Sequence, residues 1–508
     1  MDLITLDEYY RKSGVRETPE FSKNMLVTIY DGEGNPSQPR KDQCAGLNLA
    51  LRYNRFGLYD DPGVGKTVIS QAYAIYRVWE GNKCLVLMPP VLLYQFLDSF
   101  TETYPGVQNH LTFHVFDQDP LEREALELEW GDDNWPDILC MTPQLFFKYY
   151  SKLKGMYSVL IADEVHKYLT SAEAGTYKRI QHFLGGWNDT AALLMTGTPL
   201  GNLLTQAYGL TKLTYPAAYF DYQQFERQHC VFTNVQLKEP KVMKNGRTQT
   251  SIRKLTGYKN VAKLEENLYK HARRVIKEDV LSLQEPAIEV VPIRLYPEHQ
   301  RLYETLAKQR ILEMGNDEIF TALQDQALRQ AILQLISSPH KYAPEDAKIR
   351  NAALEALDDL IEEKGDSEKV IVFANYLETA ETLKKHIKKL NPAILNGSVS
   401  NKEKEKHKFL NDPTCKVLIA HPNSAGVGLN LQSVCNYVIF FEPCSTPGDF
   451  KQAFERTYRG GQLNKVVVKI LKVLHTGSVK SIDNMFRKAS DIQMVNRDRV
   501  SMLNYVAG

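Results

Sequence analysis

Lys66, Thr67, Asp163 and Glu164 are the residues of this chain whose types and spacing can do chemistry together. The first two close the segment DDPGVGKT (60–67), and the second two stand in ADEVH (162–166). A turn carrying Gly63 and Gly65 between a strand and a helix aims backbone N–H groups at phosphate, and Lys66 adds a fixed positive charge. The Thr67 hydroxyl and the Asp163 carboxylate are hard oxygen ligands suited to magnesium. Glu164 is suited to orienting or deprotonating an attacking water. Taken together the parts make a nucleotide triphosphatase. Each has a plainer reading: a loop with a chance lysine, or an acidic pair at a strand end. Both segments, however, follow apolar runs, FGLY (56–59) and SVLI (158–161). Asp60 stands where the strict G-x-x-x-x-G-K-[ST] pattern has its first glycine, which counts against a generic kinase or GTPase.

The elements that position these residues alternate. After about residue 37, apolar strands at CLVLMPP (84–90), DILCMTP (137–143), SVLIADE (158–164) and AALLMTGTP (191–199) interleave with helical stretches. This alternation argues a parallel sheet covered on both faces. The region 216–350 is charged and mostly helical in pattern, with one β-hairpin signal at Asn245-Gly246. Strand alternation resumes at KVIVFAN (369–375), AILNG (393–397), KVLIAHP (416–422), YVIFFEP (437–443) and VVVKILKVL (466–474). The expected fold is α/β, with two parallel-sheet lobes that resemble RecA-like domains and a mostly helical insertion carrying a β-hairpin. The expected boundaries are an N-terminal extension 1–36, an ATP-binding lobe 37–215, the insertion and linker 216–350, a second lobe 351–475 and a helical tail 476–508.

Bulk properties narrow the class. The 508 residues are 43% hydrophobic and 24% charged, the balance of an ordinary globular protein. No apolar run approaches the ~18 residues of a membrane span, and the polar start MDLITLDEYYRK is no secretory signal. The seven cysteines are scattered and never spaced CxxC, which predicts buried free thiols rather than a metal site, and a reducing, cytoplasmic compartment. The net charge of +1 gives no global case for nucleic acid, so such a case must rest on local patches.

The second half carries a further constellation. SAGVGLNLQ (424–432) follows the strand KVLIA, and QAFERTYRGGQ (452–462) follows YVIFFEP and sets Arg456 and Arg459 three apart, as on one helix face. Alone, this is a solvated basic helix; in a two-lobe motor, it is a source of transition-state charge at a γ-phosphate. The set resembles superfamily 2 helicases, and among them the Swi/Snf-type DNA translocases, over roughly residues 38–490. PRKDQCAGLNLAL (39–51) is similar to that family's adenine-recognition element, LVLMPPVLLYQF (85–96) and ILCMTPQLF (138–146) to its motifs Ia and Ib, and LLMTGTPLGNLL (193–204) to its motif III. HARRVIKEDVLSLQEP (271–286) resembles its basic linker, FANY (373–376) its motif IV, and SAGVGLNLQ and QAFERTYRGGQ its motifs V and VI.

The resemblance implies that Gln43 reads adenine, that Asp61, Gly63, Gly65, Lys66, Thr67 and Gly428 bind ATP, and that Thr67 and Asp163 hold magnesium. It makes Asp163 and Glu164 the metal and water residues, Arg456 and Arg459 the arginine fingers, and His166 the coupling to motif III. Lys167 replaces the family's usual arginine. The motor occupies nearly the whole length, which points to a compact bacterial or viral repair and replication motor, acting in the host cytoplasm if viral, rather than a nucleosome remodeller.

The implied partner is duplex or branched DNA, gripped through its backbone without sequence readout by loops such as 141–144, 89–90 and 421–428. Around Asn245-Gly246, Lys238, Lys241, Lys244, Arg247, Arg253 and Lys254 oppose only Glu239, a basic hairpin suited to gripping duplex or wedging a junction. The segment after it, LTGYKNVAKLEENL (255–268), resembles the fork-remodelling branch of the family. The expected activity is an ATP-dependent DNA translocase that remodels DNA structures or displaces bound proteins. The alternatives are a strand-separating helicase and the motor subunit of a restriction or defence complex.

Overall fold

The computed structural model describes residues 29–30, 36–37 and 39–498, the latter apart from 105–106, 117–118, 132–133, 170–174, 243–247, 310, 316–317, 322–324, 344–348, 366–368 and 424–430. Two compact units divide the chain. The first runs to Val280 and includes Met494–Asp498; the second is Leu281–Gln493.

In the first unit, helix α1 (Lys41–Arg52) precedes strand β1 (Arg55–Leu58), and helix α2 (Lys66–Trp79) follows it. Strands β2 (Cys84–Leu87), β3 (Phe113–Phe116), β4 (Ile138–Met141), β5 (Val159–Ala162) and β6 (Ala191–Met195) come next. A hairpin of β7 (Cys230–Val242) and β8 (Thr248–Tyr258), helix α3 (Val261–Leu268) and the short β9 (Ala272–Arg273) complete it. Seven strands form one parallel sheet in the order β9-β1-β6-β5-β2-β4-β3. Strands β1, β2, β4, β5 and β6 are buried at every position, because helices cover both faces. That is why they read in the sequence as unbroken apolar runs. The two edge strands do not. β3 is only half-buried along FHVF, and β9 is two residues long.

The second unit builds a six-stranded parallel sheet from β10 (Ala287–Ile293), β11 (Lys369–Phe373), β12 (Ala393–Leu395), β13 (Val417–Ala420), β14 (Cys435–Phe440) and β15 (Val467–Val473). The order is β10-β15-β14-β11-β13-β12. Five of its strands were expected. The sixth, β10, lies inside the segment 216–350 that the sequence reads as one helical insertion. That segment instead divides between the units at Val280/Leu281. β10 pairs with β15 alone, register Ala287↔Val467 to Ile293↔Val473, and carries Pro292, a residue tolerated on an edge strand. A helix at Gly477–Asn496 follows β15, as the tail pattern predicts.

The hairpin forms as expected. β7 and β8 pair antiparallel from Cys230↔Tyr258 to Val242↔Thr248, as a two-stranded sheet outside the main one. Its turn, Asn245-Gly246, lies outside the described residues. Six cysteines are buried and Cys44 is half-buried, all as free thiols. Among the described residues, no helix is long and apolar enough to cross a membrane.

Candidate active site

The sheet order brings three loops together at the carboxyl ends of adjacent strands. The phosphate loop leaves β1, the Thr196-Gly197-Thr198 loop leaves β6, and Asp163-Glu164 leaves β5. The carboxyl edge of a parallel sheet is where such folds bind ligands.

The phosphate loop is held open for an anion. Gly65 precedes α2 at φ +94° and Gly63 has φ +84°, values that glycine adopts without strain. No side chain caps α2, so its first-turn N–H groups face outward. Gly65 also leaves room for Gln43, because a Cβ there would lie 2.4 Å from the Gln43 amide nitrogen and that side chain would have to shift. Gln43 therefore rests against the loop, with its Oε1 accepting from Arg40 N–H at 2.9 Å. Arg40 in turn donates to the Val64 carbonyl and to Asp42 at 2.9 Å.

Lys66 Nζ donates to the Asp60 and Asp61 carbonyls at 2.6 and 3.1 Å. Burial pulls its ammonium pKa down, against the opposing pull of Asp163, Glu164, Asp60 and Asp61. Asp163 is pushed up to about 6, by burial first and by Glu164 beside it second, while Lys66 opposes both. Its Oδ1 accepts from Glu164 N–H at 2.8 Å, and its carbonyl accepts from the Tyr168 hydroxyl. Glu164 sits at φ +50°, a left-handed conformation uncommon for a side chain of this size and a mark of functional sites. His166 Nδ1 meets Thr196 Oγ1 at 2.7 Å and Glu164 Oε2 at 3.2 Å. Thr196 Oγ1 also accepts from Thr198 N–H at 3.0 Å. One chain of polar contacts thus runs through His166 from the acidic loop to the Thr-Gly-Thr loop.

The donor set fits magnesium with a triphosphate. Magnesium takes one or two protein oxygens and completes its shell with phosphate and water. The Asp163 carboxylate and the exposed Thr67 at the open end of α2 supply such oxygens. Among the described residues, no cluster of three His, Cys, Asp or Glu side chains forms a self-sufficient metal cage.

Asp60 and Asp61 are both paired with the segment 273–277. Asp60 is fully buried, and its carboxylate accepts from the Arg273 guanidinium and, at 2.9 Å, from Val275 N–H. Asp61 was expected to bind the nucleotide. Its carboxylate accepts from Arg274 at 2.7 Å and from Lys277 N–H at 3.2 Å, which ties the loop to the chain after β9. This explains the missing first glycine: Asp60 anchors the loop to the chain running out of β9. Arg273 also donates to the Asp42 carbonyl at 2.6 Å, and a Cβ on Gly46 would lie 2.6 Å from its guanidinium. The sequence offered a signal for this pair in the doubled arginine of HARRVIKEDV, but nothing in it named Asp60 and Asp61 as the partners.

Arg456 and Arg459 belong to the second unit. They do not share a helix face, because the helix Pro447–Phe454 ends before them and both lie in the turn that follows. The reason is the knitting of this turn to the segment before β14. Leu431 N–H donates to the Arg456 carbonyl at 3.3 Å. Gln462 Nε2 donates to the carbonyls of Gln432, Cys435 and Thr457 at 3.0–3.1 Å. Arg456 is mostly buried, and Arg459 Nε donates to the Glu455 carbonyl at 3.0 Å. Gly428 lies outside the described residues. At the carboxyl ends of β11, β13 and β14 a cavity of about 220 Å³ is lined by Asn375, His421, Asn423, Glu442 and Ser445 among others. Buried Glu442, its pKa raised by desolvation, fixes the FANY turn by accepting from Asn375 N–H at 2.6 Å and Thr379 Oγ1 at 2.7 Å.

Comparison with known proteins agrees with this architecture. The SNF2-related domain matches residues 49–346 and the helicase conserved C-terminal domain residues 352–461. The nuclear protein STH1/NPS1 of Saccharomyces cerevisiae is 25% identical over 454 residues, covering 84% of this chain and 32% of its own length. The uncharacterized ATP-dependent helicase MG018 of Mycoplasma genitalium is 26% identical over 447 residues, covering 84% of this chain and 39% of its own. The chain thus spans well under half the length of either relative. The solved SWI2/SNF2 ATPase core of Sulfolobus solfataricus in complex with dsDNA is similar at 21% identity and a TM-score of 0.39, covering 94% of this chain and 95% of that one. With the family's two domain models matched in order across most of its length, the chain belongs to the SNF2-related family of superfamily 2 helicases.

Proposed function

We propose that this protein is an ATP-driven motor on DNA, which couples hydrolysis to movement along duplex or branched DNA and so remodels DNA structures or displaces bound proteins. The observation that carries the ATPase part is the convergence of the open α2 N-terminus, Lys66, Asp163-Glu164 and the His166–Thr196 contact on one edge of one sheet. Magnesium-bound ATP supplies the reacting phosphate. Lys66 and the loop N–H groups hold that phosphate, Asp163 and Thr67 hold the metal, and Glu164 positions the attacking water. Gln43, pressed against Gly65, is the residue proposed to read the base. His166 carries the state of the acidic loop to Thr196. Arg456 and Arg459 are the arginines proposed to meet the developing charge, and Gly428 is proposed to bind ATP.

The DNA part is supported by the hairpin. It stands outside the main sheet, and the stretch 238–254 holds six basic residues against one acidic residue. Among its described side chains, Arg253 is exposed, pairs with Glu226 at 3.0 Å and lies 3.5 Å over the Phe232 ring. A cationic ribbon of this kind binds phosphates without reading sequence. The test is steady-state ATP hydrolysis with no nucleic acid, single strands, duplex, forked DNA or RNA, in the wild type and in Arg253→Gln/Lys254→Gln. Duplex or fork stimulation is expected. The double variant is expected to weaken DNA activation and to flatten its log–log salt dependence by about 1–2. Stimulation by RNA alone would refute the DNA reading.

A further inference from the structure

Residues at the far end of the described chain dock on the nucleotide loops of the first unit. Asn496 is buried, and its side-chain amide closes both backbone groups of one residue, donating to the Leu200 carbonyl at 2.9 Å and accepting from Leu200 N–H at 3.1 Å. Leu200 lies two residues after the Thr-Gly-Thr loop. Arg497 donates to Glu265 at 2.7 Å and lies 4.1 Å over the Tyr269 ring. Asp498 accepts from Arg274 Nη2 at 2.6 Å.

Arg274 gives that last contact its weight. Its side chain is wholly buried, and its one guanidinium reaches four places. Nη1 donates to the Tyr59 carbonyl at 2.7 Å and the Gly197 carbonyl at 3.2 Å. Nη2 donates to Asp61 at 2.7 Å as well as to Asp498. Tyr59 and Asp61 flank the entry to the phosphate loop, and Gly197 is the centre of the Thr-Gly-Thr loop. These two loops touch directly, since a Cβ on Gly197 would lie 2.7 Å from the Pro62 ring. A planar guanidinium holds its partners in a fixed fork, so it sets the spacing between the loops it bridges.

We propose that Arg274 is a positioning residue for ATP hydrolysis, registering the phosphate loop against the Thr-Gly-Thr loop, and that Asn496 and Asp498 complete this register from the segment Met494–Asp498. That segment is then a working part of the nucleotide site, acting through Leu200 and Arg274. The inference rests on the ATPase reading. Asp498 is the useful handle, being 16% exposed in its side chain and outside the core of the sheet.

The test uses the full chain carrying Asp498→Ala, Asp498→Glu, Asn496→Ala or Arg274→Lys, with kcat and KM for ATP measured well below each variant's unfolding midpoint. Displacement of reacting groups by a fraction of an ångström costs on the order of tenfold in rate. We expect kcat/KM for ATP to fall about tenfold in Asp498→Ala and Asn496→Ala, and Asp498→Glu to recover most of the loss. Arg274→Lys keeps the charge and loses the fork, and is expected to behave like the alanine variants. A segment that merely stabilised the fold would lower the unfolding midpoint and leave both kinetic constants of the folded protein unchanged. Wild-type values in Asp498→Ala and Asn496→Ala would overturn the proposal while the wild type still hydrolyses ATP. A wild type that hydrolyses no ATP would overturn the ATPase reading, and this inference with it.

Discussion

Replacing Asp60 by glycine restores the strict phosphate-loop pattern, and the structure predicts that this apparent repair will damage the protein. Asp60 is fully buried, and its carboxylate neutralises Arg273, whose side chain is only 2% exposed. Removing one member of a buried ion pair strands the other charge, at a cost of about 3–5 kcal/mol. The change also takes the acceptor from Val275 N–H, a lesser loss that overlaps with the first. Arg273 retains its bond to the Asp42 carbonyl, which offsets that lesser loss and leaves the middle of the range, about 4 kcal/mol. At ~2–4 °C per kcal/mol for a domain of this scale, the unfolding transition of the first unit should fall by ~8–16 °C. Differential scanning calorimetry of the wild type, Asp60→Gly and Asp60→Gly/Arg273→Met measures this directly. The double variant removes the stranded charge and should regain at least half of the loss. A single variant that melts within about 2 °C of the wild type would refute the reasoning, as would a double variant less stable than the single one.

Lys66→Ala and Glu164→Gln should each cut ATP turnover at least ~100-fold with little change in unfolding midpoint, and substantial hydrolysis by purified Glu164→Gln would remove that residue from its assigned role. Asp163 must be ionised to hold magnesium, so kcat/KM for ATP, which follows the free protein, should fall as pH drops through about 6, read from a pH–rate profile. The sign for stability is opposite. A carboxyl whose folded pKa is raised from 3.8 to about 6 adds stability at low pH that is lost as pH rises through about 6, so the acid loss of activity should come without unfolding of this site. Gly65→Ala places a Cβ 2.4 Å from the Gln43 amide at φ +94°, and should raise KM for ATP about tenfold while costing ~1–3 kcal/mol of stability, checked by kinetics and thermal melts together.

Much of this molecule was legible in its sequence because the signals are local. Strands β1, β2, β4, β5 and β6 are buried on both faces, so each is a continuous apolar run that needs no partner to be recognised. The glycines before Lys66 and the acidic pair after SVLI announce their chemistry by type and spacing alone. The misses are of another kind. β3, β9 and β10 are edge strands, where half-burial, shortness and a tolerated proline erase the pattern. The helix before Arg456 ends at Phe454 because Gln462 ties the following turn to carbonyls around 432–435, contacts to which a helical periodicity is blind.

The sequence by itself determined which segments become the buried inner strands and which side chains can handle a phosphate, a metal and a water. Only the tertiary structure decided that the loops at 60–67, 163–166 and 196–200 are neighbours, because that follows from the order β1-β6-β5 and not from any spacing along the chain. It also decided what Asp60 and Asp61 pair with. Their partners Arg273 and Arg274 lie 213 residues away, and a carboxylate buried beside a guanidinium is an anchor where the same carboxylate facing water would be a ligand. Burial and pairing are properties of the folded neighbourhood, and they assign a role to a charge that its place in a motif leaves open.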